Sequence, residues 1–228
     1  MQEILNFAQT ESLDWRDFIE GEENVAVIRF LAKWPDWPTN GLIIYGESGT
    51  GKTHISGLWA RTTNAVSVLP ESLRHDPRKL FSMECNFIFD NIDDFLDTQR
   101  QDWMFHFFNI AAEKKRYYLL ISRHHPSVWP VTLGDLRSRL FTLPVLRMQN
   151  PGEELMIKIA GKLSRDLGIL IHNNVLEYLL NTVDRSAASL AKILQILNAL
   201  SLQEKKPITL PFLRNYFRNE HNCRDIIK

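Results

Sequence analysis

The stretch "GESGTGKT", at residues 46–53, constrains the fold of this chain more than any other segment. Its spacing, G-x-x-x-x-G-K-T, is that of a phosphate-binding P-loop, and it follows an apolar run and opens an amphipathic one. The glycines let the backbone turn tightly, so that its N–H groups point at phosphate oxygens. The lysine supplies a positive charge to the outer phosphates, and the threonine supplies a hydroxyl for magnesium. The loop residues predicted to bind a nucleotide are Gly46, Gly49, Thr50, Gly51, Lys52 and Thr53.

The segment around this loop has the pattern of an α/β domain. Four apolar runs predict strands buried on both faces, and a fifth run is a further candidate. Two stretches between these runs, 52–62 and 101–115, carry apolar residues at helical spacing. This alternation predicts a parallel sheet with helices on its faces and ligands at the carboxyl ends of its strands. In chain order the five runs are 41–45, 65–69, 86–90, 117–122 and 141–146.

After about residue 150 the pattern changes to helices alone. The predicted helices are broken by Gly168, by polar residues and by a proline, and they cover 153–168, 173–183, 186–203 and 210–219. The sequence therefore predicts three parts. These are a flexible N-terminal tail at 1–15, an α/β nucleotide-binding domain at 16–148 and a small helical domain at 149–228.

The run "NFIFD" ends in Asp90, at the second magnesium-coordinating position of P-loop proteins. Thr53 and Asp90 are thus the predicted metal ligands. In hydrolytic members an acid follows this aspartate and polarises the attacking water, but here the next residue is Asn91. An amide can orient a water and cannot take its proton. Asp93 and Asp94 are expected to point to solvent, with a rearranged role for Asp93 left open, so we expect slow or absent intrinsic hydrolysis.

Charge and composition exclude several functional classes. The chain has 27 basic and 27 acidic residues, so it has no overall positive charge with which to hold duplex DNA. Its start lacks a basic region followed by an apolar core, and no segment has the roughly 18 apolar residues that a membrane span needs. The two cysteines offer no disulfide framework. These features predict a cytoplasmic protein without a membrane segment.

Three segments together resemble the AAA+ module of the bacterial replication initiator DnaA, and in particular the short Hda-type regulatory inactivators. They are "FIEGEEN" at 18–24, "GESGTGKTHI" at 46–55 and "LGDLRSRL" at 133–140. The resemblance covers roughly residues 12–217 and implies an α/β fold, a P-loop AAA+ parallel sheet domain with a small all-helical lid domain. It implies ADP or ATP with Mg²⁺ as cofactors, Phe18 and Ile19 bracketing the adenine, and His54 in the nucleotide site. It also implies that Arg139 is the arginine finger.

Two further positions depart from the family pattern. Arg123 follows the strand "YYLLIS" where the family usually has an acid, and Ala188 stands where the lid arginine that touches the γ-phosphate would lie. Arg185 is one turn too early to replace that arginine unless the helix shifts. With Asn91, these changes favour a stably bound nucleotide, ADP, acting as a structural cofactor.

The N-terminal "QEILNF" resembles the short peptide with which bacterial proteins bind the replicative sliding clamp. In that motif Gln2 enters one pocket, and Leu5 with Phe7 fills an adjacent apolar one. The alternative is an amphipathic turn packed on the domain. The chain ends about ten residues after the last predicted helix, so we expect no helix-turn-helix domain and no sequence-specific DNA binding.

The resemblance implies a negative regulator of replication initiation that, with the DNA polymerase III sliding clamp on DNA, stimulates hydrolysis of DnaA-bound ATP in trans. Arg139 would reach the partner's γ-phosphate; the alternative role for Arg139 is an ion pair with Asp135 on the same helix. Two other functions remain open, a self-contained AAA+ ATPase such as a helicase loader and a DnaA-binding module without catalysis. A homo-oligomer is also possible.

Overall fold

A computed structural model describes residues 18–98 and 100–219. They form two compact units. The first, called here the sheet unit, comprises Phe18 and Asn24–Gln149. The second, called the helical unit, comprises Ile19–Glu23 and the chain from Asn150 onward. Gln2, Leu5 and Phe7 lie outside the described residues.

The sheet unit is built on five parallel strands in the order β2-β3-β4-β1-β5. The prediction of a parallel sheet is therefore confirmed. Four helices complete the unit: α1 (Val25–Leu31), α2 (Lys52–Thr63), α3 (Gln101–Glu113) and α4 (Gly134–Phe141). The strands are β1 (Gly41–Tyr45), β2 (Ala65–Ser67), β3 (Asn86–Phe89), β4 (Tyr118–Ser122) and β5 (Val145–Arg147).

Alternate residues of the central strands enter two separate apolar clusters, because side chains along a strand point to opposite faces of the sheet. In β4, Tyr118 and Leu120 join the cluster that contains Phe107 of α3. Leu119 and Ile121 join the cluster that contains Trp59 of α2. Both faces of the central sheet are thus covered, which explains why β1, β3 and β4 are nearly uniformly apolar.

The two edge strands differ from their predictions. β2 ends at Ser67 rather than at residue 69, and its three residues are only half-buried, so the prediction of burial on both faces is wrong for it. β2 has a neighbour on one side only, and this leaves it partly open to solvent. The fifth strand begins at Val145 rather than at residue 141, because Phe141 is the last residue of α4 and residues 142–144 connect the helix to the strand.

One buried amide, that of Gln101, connects the start of α3 to the segment that precedes α4. Its Nε2 donates to the carbonyl oxygens of Leu96 and Pro130, each at 2.9 Å. Its Oε1 accepts from the backbone N–H groups of Thr132 and Leu133, also at 2.9 Å. Because Gln101 is 2% exposed, water cannot replace these partners. This side chain therefore holds the segment that leads into α4 in place.

The helical unit contains α5 (Glu153–Asp166), α6 (Asn173–Thr182), α7 (Ala187–Glu204) and α8 (Leu210–Asn219). The four predicted helices are confirmed. Their apolar faces meet in one core around Leu179, Leu190 and Leu213. The segment Ile19–Glu23 is attached to this unit, where Glu23 Oε1 accepts from the Gly152 N–H at 2.7 Å. In the described part of the chain, no helix combines the length and apolar character that crossing a bilayer requires.

We expect Gln101→Leu to destabilise the sheet unit by at least about 3 kcal/mol, because it leaves several buried N–H and C=O groups without a hydrogen-bond partner. Urea unfolding followed by circular dichroism measures this change. His106→Gln, at an exposed position of the same helix, is the matched control and should change the unfolding free energy by less than about 0.5 kcal/mol. Equal stability of Gln101→Leu and wild type would contradict the role given to the amide.

Candidate nucleotide-binding site

The candidate site lies at the carboxyl edge of the sheet, where three neighbouring strands end. β3 leads into Asp90, β4 ends at Ser122 and β1 leads into Gly46. Tyr45 and Ser122 are partners in the register of β1 and β4, and the Gly46 N–H donates to the Ser122 carbonyl at 3.2 Å. Residues far apart in sequence are thus brought to one edge, as in other open α/β sheets that bind ligands.

The loop between β1 and α2 requires glycine at defined positions. Gly49 and Gly51 have φ values of 84° and 94°, a left-handed region that other residues seldom adopt. A Cβ on Gly46 would lie 2.1 Å from the Met148 carbonyl oxygen, closer than any real contact. Gly51 directly precedes α2, so the loop delivers its backbone to the N-terminus of a twelve-residue helix. This is the geometry of a phosphate cradle.

Lys52 folds back over this loop. Its Nζ donates to the carbonyl oxygens of Gly46 and Glu47, each at 2.6 Å, and to Thr50 Oγ1 at 3.3 Å. Burial lowers the pKa of Lys52, the charge of Asp90 opposes that shift, and the charge of Arg123 adds to it. The ammonium group therefore lies at the loop within the electrostatic reach of both side chains.

The predicted metal ligands are adjacent. Thr53 Oγ1 donates to Asp90 Oδ2 at 3.0 Å. Mg²⁺ in nucleotide sites takes one or two protein oxygens, with phosphates and waters completing its shell, so this pair fits the ion. Across residues 18–98 and 100–219, no group of three or more His, Cys, Asp and Glu side chains could hold a metal. A magnesium ion here would therefore depend on the nucleotide for its remaining ligands.

The residues predicted to contact adenine divide between the two units. The Phe18 and His54 rings lie 5.3 Å apart within the sheet unit. Ile19, the next residue, belongs to the helical unit. The aromatic pair thus sets the position of Phe18 beside the first turn of α2.

Asp93 occupies a position that the sequence did not predict. It is half-buried, and its Oδ2 accepts from Ser122 Oγ at 3.2 Å, so the expectation that Asp93 points to solvent is wrong. The Ser122 hydroxyl in turn accepts from the His124 N–H and from Trp129 Nε1. Asp94 is exposed as expected, and its Oδ2 accepts from Asn91 Nδ2 at 2.7 Å. A carboxylate is therefore held at the end of β4, next to the P-loop strand.

Ser122 is the site residue that sequence analysis missed. It is 1% exposed and bonded through both its hydroxyl and its carbonyl oxygen. The available signal was a serine at the end of a strand otherwise made of apolar residues. Its importance depends on β4 lying between β3 and β1, which the sequence alone did not specify.

The predicted arginine finger, Arg139, lies on α4 and is engaged within the chain. Its Nη2 donates to Asn109 Oδ1 at 2.6 Å and its Nη1 to the Phe108 carbonyl at 3.3 Å. The guanidinium carbon also lies 5.8 Å from the centre of the Phe105 ring. The alternative ion pair with Asp135 does not occur between these two described residues. Arg139 is therefore docked on α3.

The lid positions predicted to depart from the family pattern lie at the start of α7. Ala188 is in the first turn of that helix and is exposed, and Arg185 precedes the helix and is also exposed. The first turn of α7 is capped by Ser186, whose Oγ accepts from the Ser189 N–H at 3.0 Å. The helix begins at Ala187, so Arg185 lies outside its first turn.

Comparison with known proteins relates this chain to DnaA and to Hda-type lid domains. A family model described as "Hda, lid domain" matches residues 155–217. The DnaA protein of Wolinella succinogenes is 26% identical in an alignment of length 236 that covers 92% of this chain and 53% of that protein. The chain is a DnaA-related AAA+ protein with an Hda-type lid domain. It spans about half the length of the DnaA relatives that it matches.

Solved structures agree with this DnaA-related fold. Domain III of DnaA from Thermotoga maritima has a TM-score of 0.71 at 20% identity, covering 87% of this chain and 92% of that one. AMPPCP-bound DnaA from Aquifex aeolicus has a TM-score of 0.71 at 17% identity, covering 93% and 71%. The prediction of an AAA+ parallel sheet domain with an all-helical lid domain is thus confirmed.

We expect Gly46→Ala to destabilise the sheet unit by about 2 kcal/mol or more, because the added Cβ collides with the Met148 carbonyl. Gly57→Ala is the matched control in the helix that follows, where a Cβ meets nothing within 4 Å. It should stabilise the protein by up to about 1 kcal/mol through helix propensity. Urea unfolding of both variants measures these changes, and a Gly46→Ala variant as stable as wild type would contradict the steric argument.

Proposed function

We propose that this DnaA-related protein is a negative regulator of chromosomal replication initiation. It binds ADP or ATP with Mg²⁺ and, with the sliding clamp on DNA, stimulates hydrolysis of DnaA-bound ATP in trans. The observation that carries the proposal is the Hda-type lid match at residues 155–217, behind a DnaA-like sheet domain.

The nucleotide would be held by the loop at the carboxyl edge of the sheet. Backbone N–H groups of residues 46–53 would surround the phosphates, Lys52 would approach the outer ones, and Thr53 with Asp90 would hold magnesium. The glycine geometry and the 3.0 Å contact between Thr53 and Asp90 support this assignment. The AMPPCP-bound DnaA of Aquifex aeolicus, which shares this fold, supports the choice of an adenine nucleotide.

Asn91 supports a structural role for this nucleotide. It directly follows Asp90, and its side chain donates to Asp94 at 2.7 Å, so its amide is occupied within the loop. An amide cannot accept the proton of an attacking water. We propose that ADP stabilises the domain and that hydrolysis takes place in the site of the partner.

In the partner's site, Arg139 would supply positive charge to the transition state, as an arginine finger does when it acts in trans. The half-buried guanidinium now uses two of its nitrogens on α3. Those hydrogen bonds would be exchanged for phosphate oxygens when DnaA binds. Phosphate oxygens carry negative charge and the present acceptors are neutral, so a phosphate would be the stronger acceptor for the guanidinium.

The clamp would act by raising the local concentration of the two partners. Gln2, Leu5 and Phe7 would hold the protein on a clamp loaded on DNA, where DnaA is also bound. A weak contact between two AAA+ surfaces then becomes effectively intramolecular. This mechanism requires no DNA-reading element in the present chain.

A second candidate function, a self-contained ATPase, is favoured by the position of Asp93. Its carboxylate is half-buried at the end of β4 and could replace the acid that is missing at Asn91. Steady-state ATP turnover by the isolated protein, lost in Asp93→Asn, would favour this function. A module that binds DnaA without catalysis would instead show neither turnover nor stimulation.

The decisive experiment is single-turnover hydrolysis of labelled ATP already bound to DnaA, with clamp-loaded DNA. Wild type should accelerate hydrolysis, and Arg139→Ala should reduce the acceleration by about 1,000-fold, the lower range for a finger supplied in trans. Arg139→Lys should fail to restore it, because a lysine lacks the planar fork. Gln2→Ala should reduce stimulation only when the clamp is present.

Arg137→Ala is the matched control, because this exposed arginine lies on the same helix over the Phe141 ring. It should retain stimulation. Urea unfolding of Arg139→Ala separates a loss of fold from a loss of function, since Arg139 also bonds to α3. Undiminished stimulation by a folded Arg139→Ala would exclude the finger, and no stimulation by wild type with competent clamp and DnaA would exclude the proposed function.

A further inference from the structure

The helical unit contains an open groove between the beginnings of two of its helices. The groove has a volume of about 790 Å³, within the usual range of ligand pockets, and residues 171–175 and 209–211 line it. Val175, in the first turn of α6, is 1% exposed, whereas Leu170, directly before the lining residues, is 92% exposed. A leucine this exposed beside a partly apolar groove indicates a surface that another segment covers.

The groove also presents backbone donors at the N-terminus of α6. The N–H groups of Val175 and Leu176 both donate to the His172 carbonyl, at 3.0 and 3.1 Å. No side chain caps this helix, and in the described part of the chain the N–H groups of Asn173 and Asn174 have no partner. The first turns of α6 and α8 carry no acidic residue. The groove therefore fits a segment with a carboxylate next to aliphatic side chains.

The segment that follows α8 has this chemistry and lies within reach. Residues 220–228, "EHNCRDIIK", are outside the described residues, and in them Asp225 directly precedes Ile226 and Ile227. From Asn219 back to Leu210, at the groove, α8 rises about 14 Å. The six residues from Asn219 to Asp225 can span about 20 Å. A chain that turns back along α8 thus brings Asp225 to the groove.

We propose that Asp225–Ile227 of this chain occupies the groove between the beginnings of α6 and α8. The Asp225 carboxylate accepts from the N–H groups of Asn173 and Asn174, where the helix dipole favours negative charge. The two isoleucines pack on the apolar side chains at and beside the groove, which are Leu170, Ile171 and Leu210.

The attachment of this segment to α8 favours its binding over that of a separate peptide. A covalent link gives the segment a high effective concentration at the groove, so a weak contact is sufficient to keep the groove covered. Another chain can enter the groove only by displacing the segment. The inference concerns the helical unit alone and is independent of the nucleotide site.

The test is amide hydrogen exchange of the full chain, measured by NMR. In wild type the Asn174 amide should exchange on the order of 10-fold more slowly than an unprotected amide, because it donates to Asp225. The double variant Ile226→Asp, Ile227→Asp should lose this protection, and Asp225→Ala should lose most of it. The amide of Leu194, in the core of the helical unit, should exchange equally in all variants and shows that the unit remains folded.

The matched control is the double variant His221→Asp, Asn222→Asp, which adds two aspartates to the same segment and keeps both isoleucines. It should retain the protection of Asn174. An unprotected Asn174 amide in wild type, or protection that survives Ile226→Asp, Ile227→Asp, would overturn the proposal. Equal loss in the control would show an effect of charge alone and would also overturn it. Protection that rises with protein concentration would assign the groove to a second copy and overturn docking within one chain.

Discussion

The parallel direction of all five strands is the constraint on which the candidate site depends. Every strand of such a sheet ends at the same edge, so residues that follow different strands become neighbours there. Gly46, Asp90 and Ser122 meet in this way, although more than 70 residues separate the first from the last. Because β4 lies between β3 and β1, Ser122 lies between Asp90 and Gly46 along this edge. The chemistry of the site is therefore a property of topology as much as of motif.

A second set of contacts orients the helix that carries Arg139. The Gln101 amide fixes the chain just before α4, and Asn109, two turns further along α3, receives the Arg139 guanidinium. Both contacts originate on one helix, which is itself anchored by Phe107 and Phe108 in the core. The orientation of Arg139 is therefore set by α3, and the proposed contact with a partner depends on how firmly α3 is packed against the sheet.

The sequence predicted those parts of the structure that local patterns determine. The bounds of β1, the start of α2 and the extent of α8 follow from apolar periodicity and from the glycine-rich loop. The orientation of Asp93 could not be predicted, because its partner Ser122 is 29 residues away on another strand. The docking of Arg139 on Asn109 is equally non-local. The length and the burial of the edge strand β2 were overestimated, because its burial depends on its place in the sheet.

The position of Lys52 has a consequence for selectivity among anions. Its ammonium group is held by two carbonyl oxygens of its own loop, each at 2.6 Å. An incoming anion must displace these internal partners and cannot simply fill an open cation site. A lone chloride or inorganic phosphate forms few new bonds with which to offset that loss. A polyphosphate chain would engage the backbone N–H groups at the same time, so the proposed site would favour polyphosphates over small anions without any steric barrier.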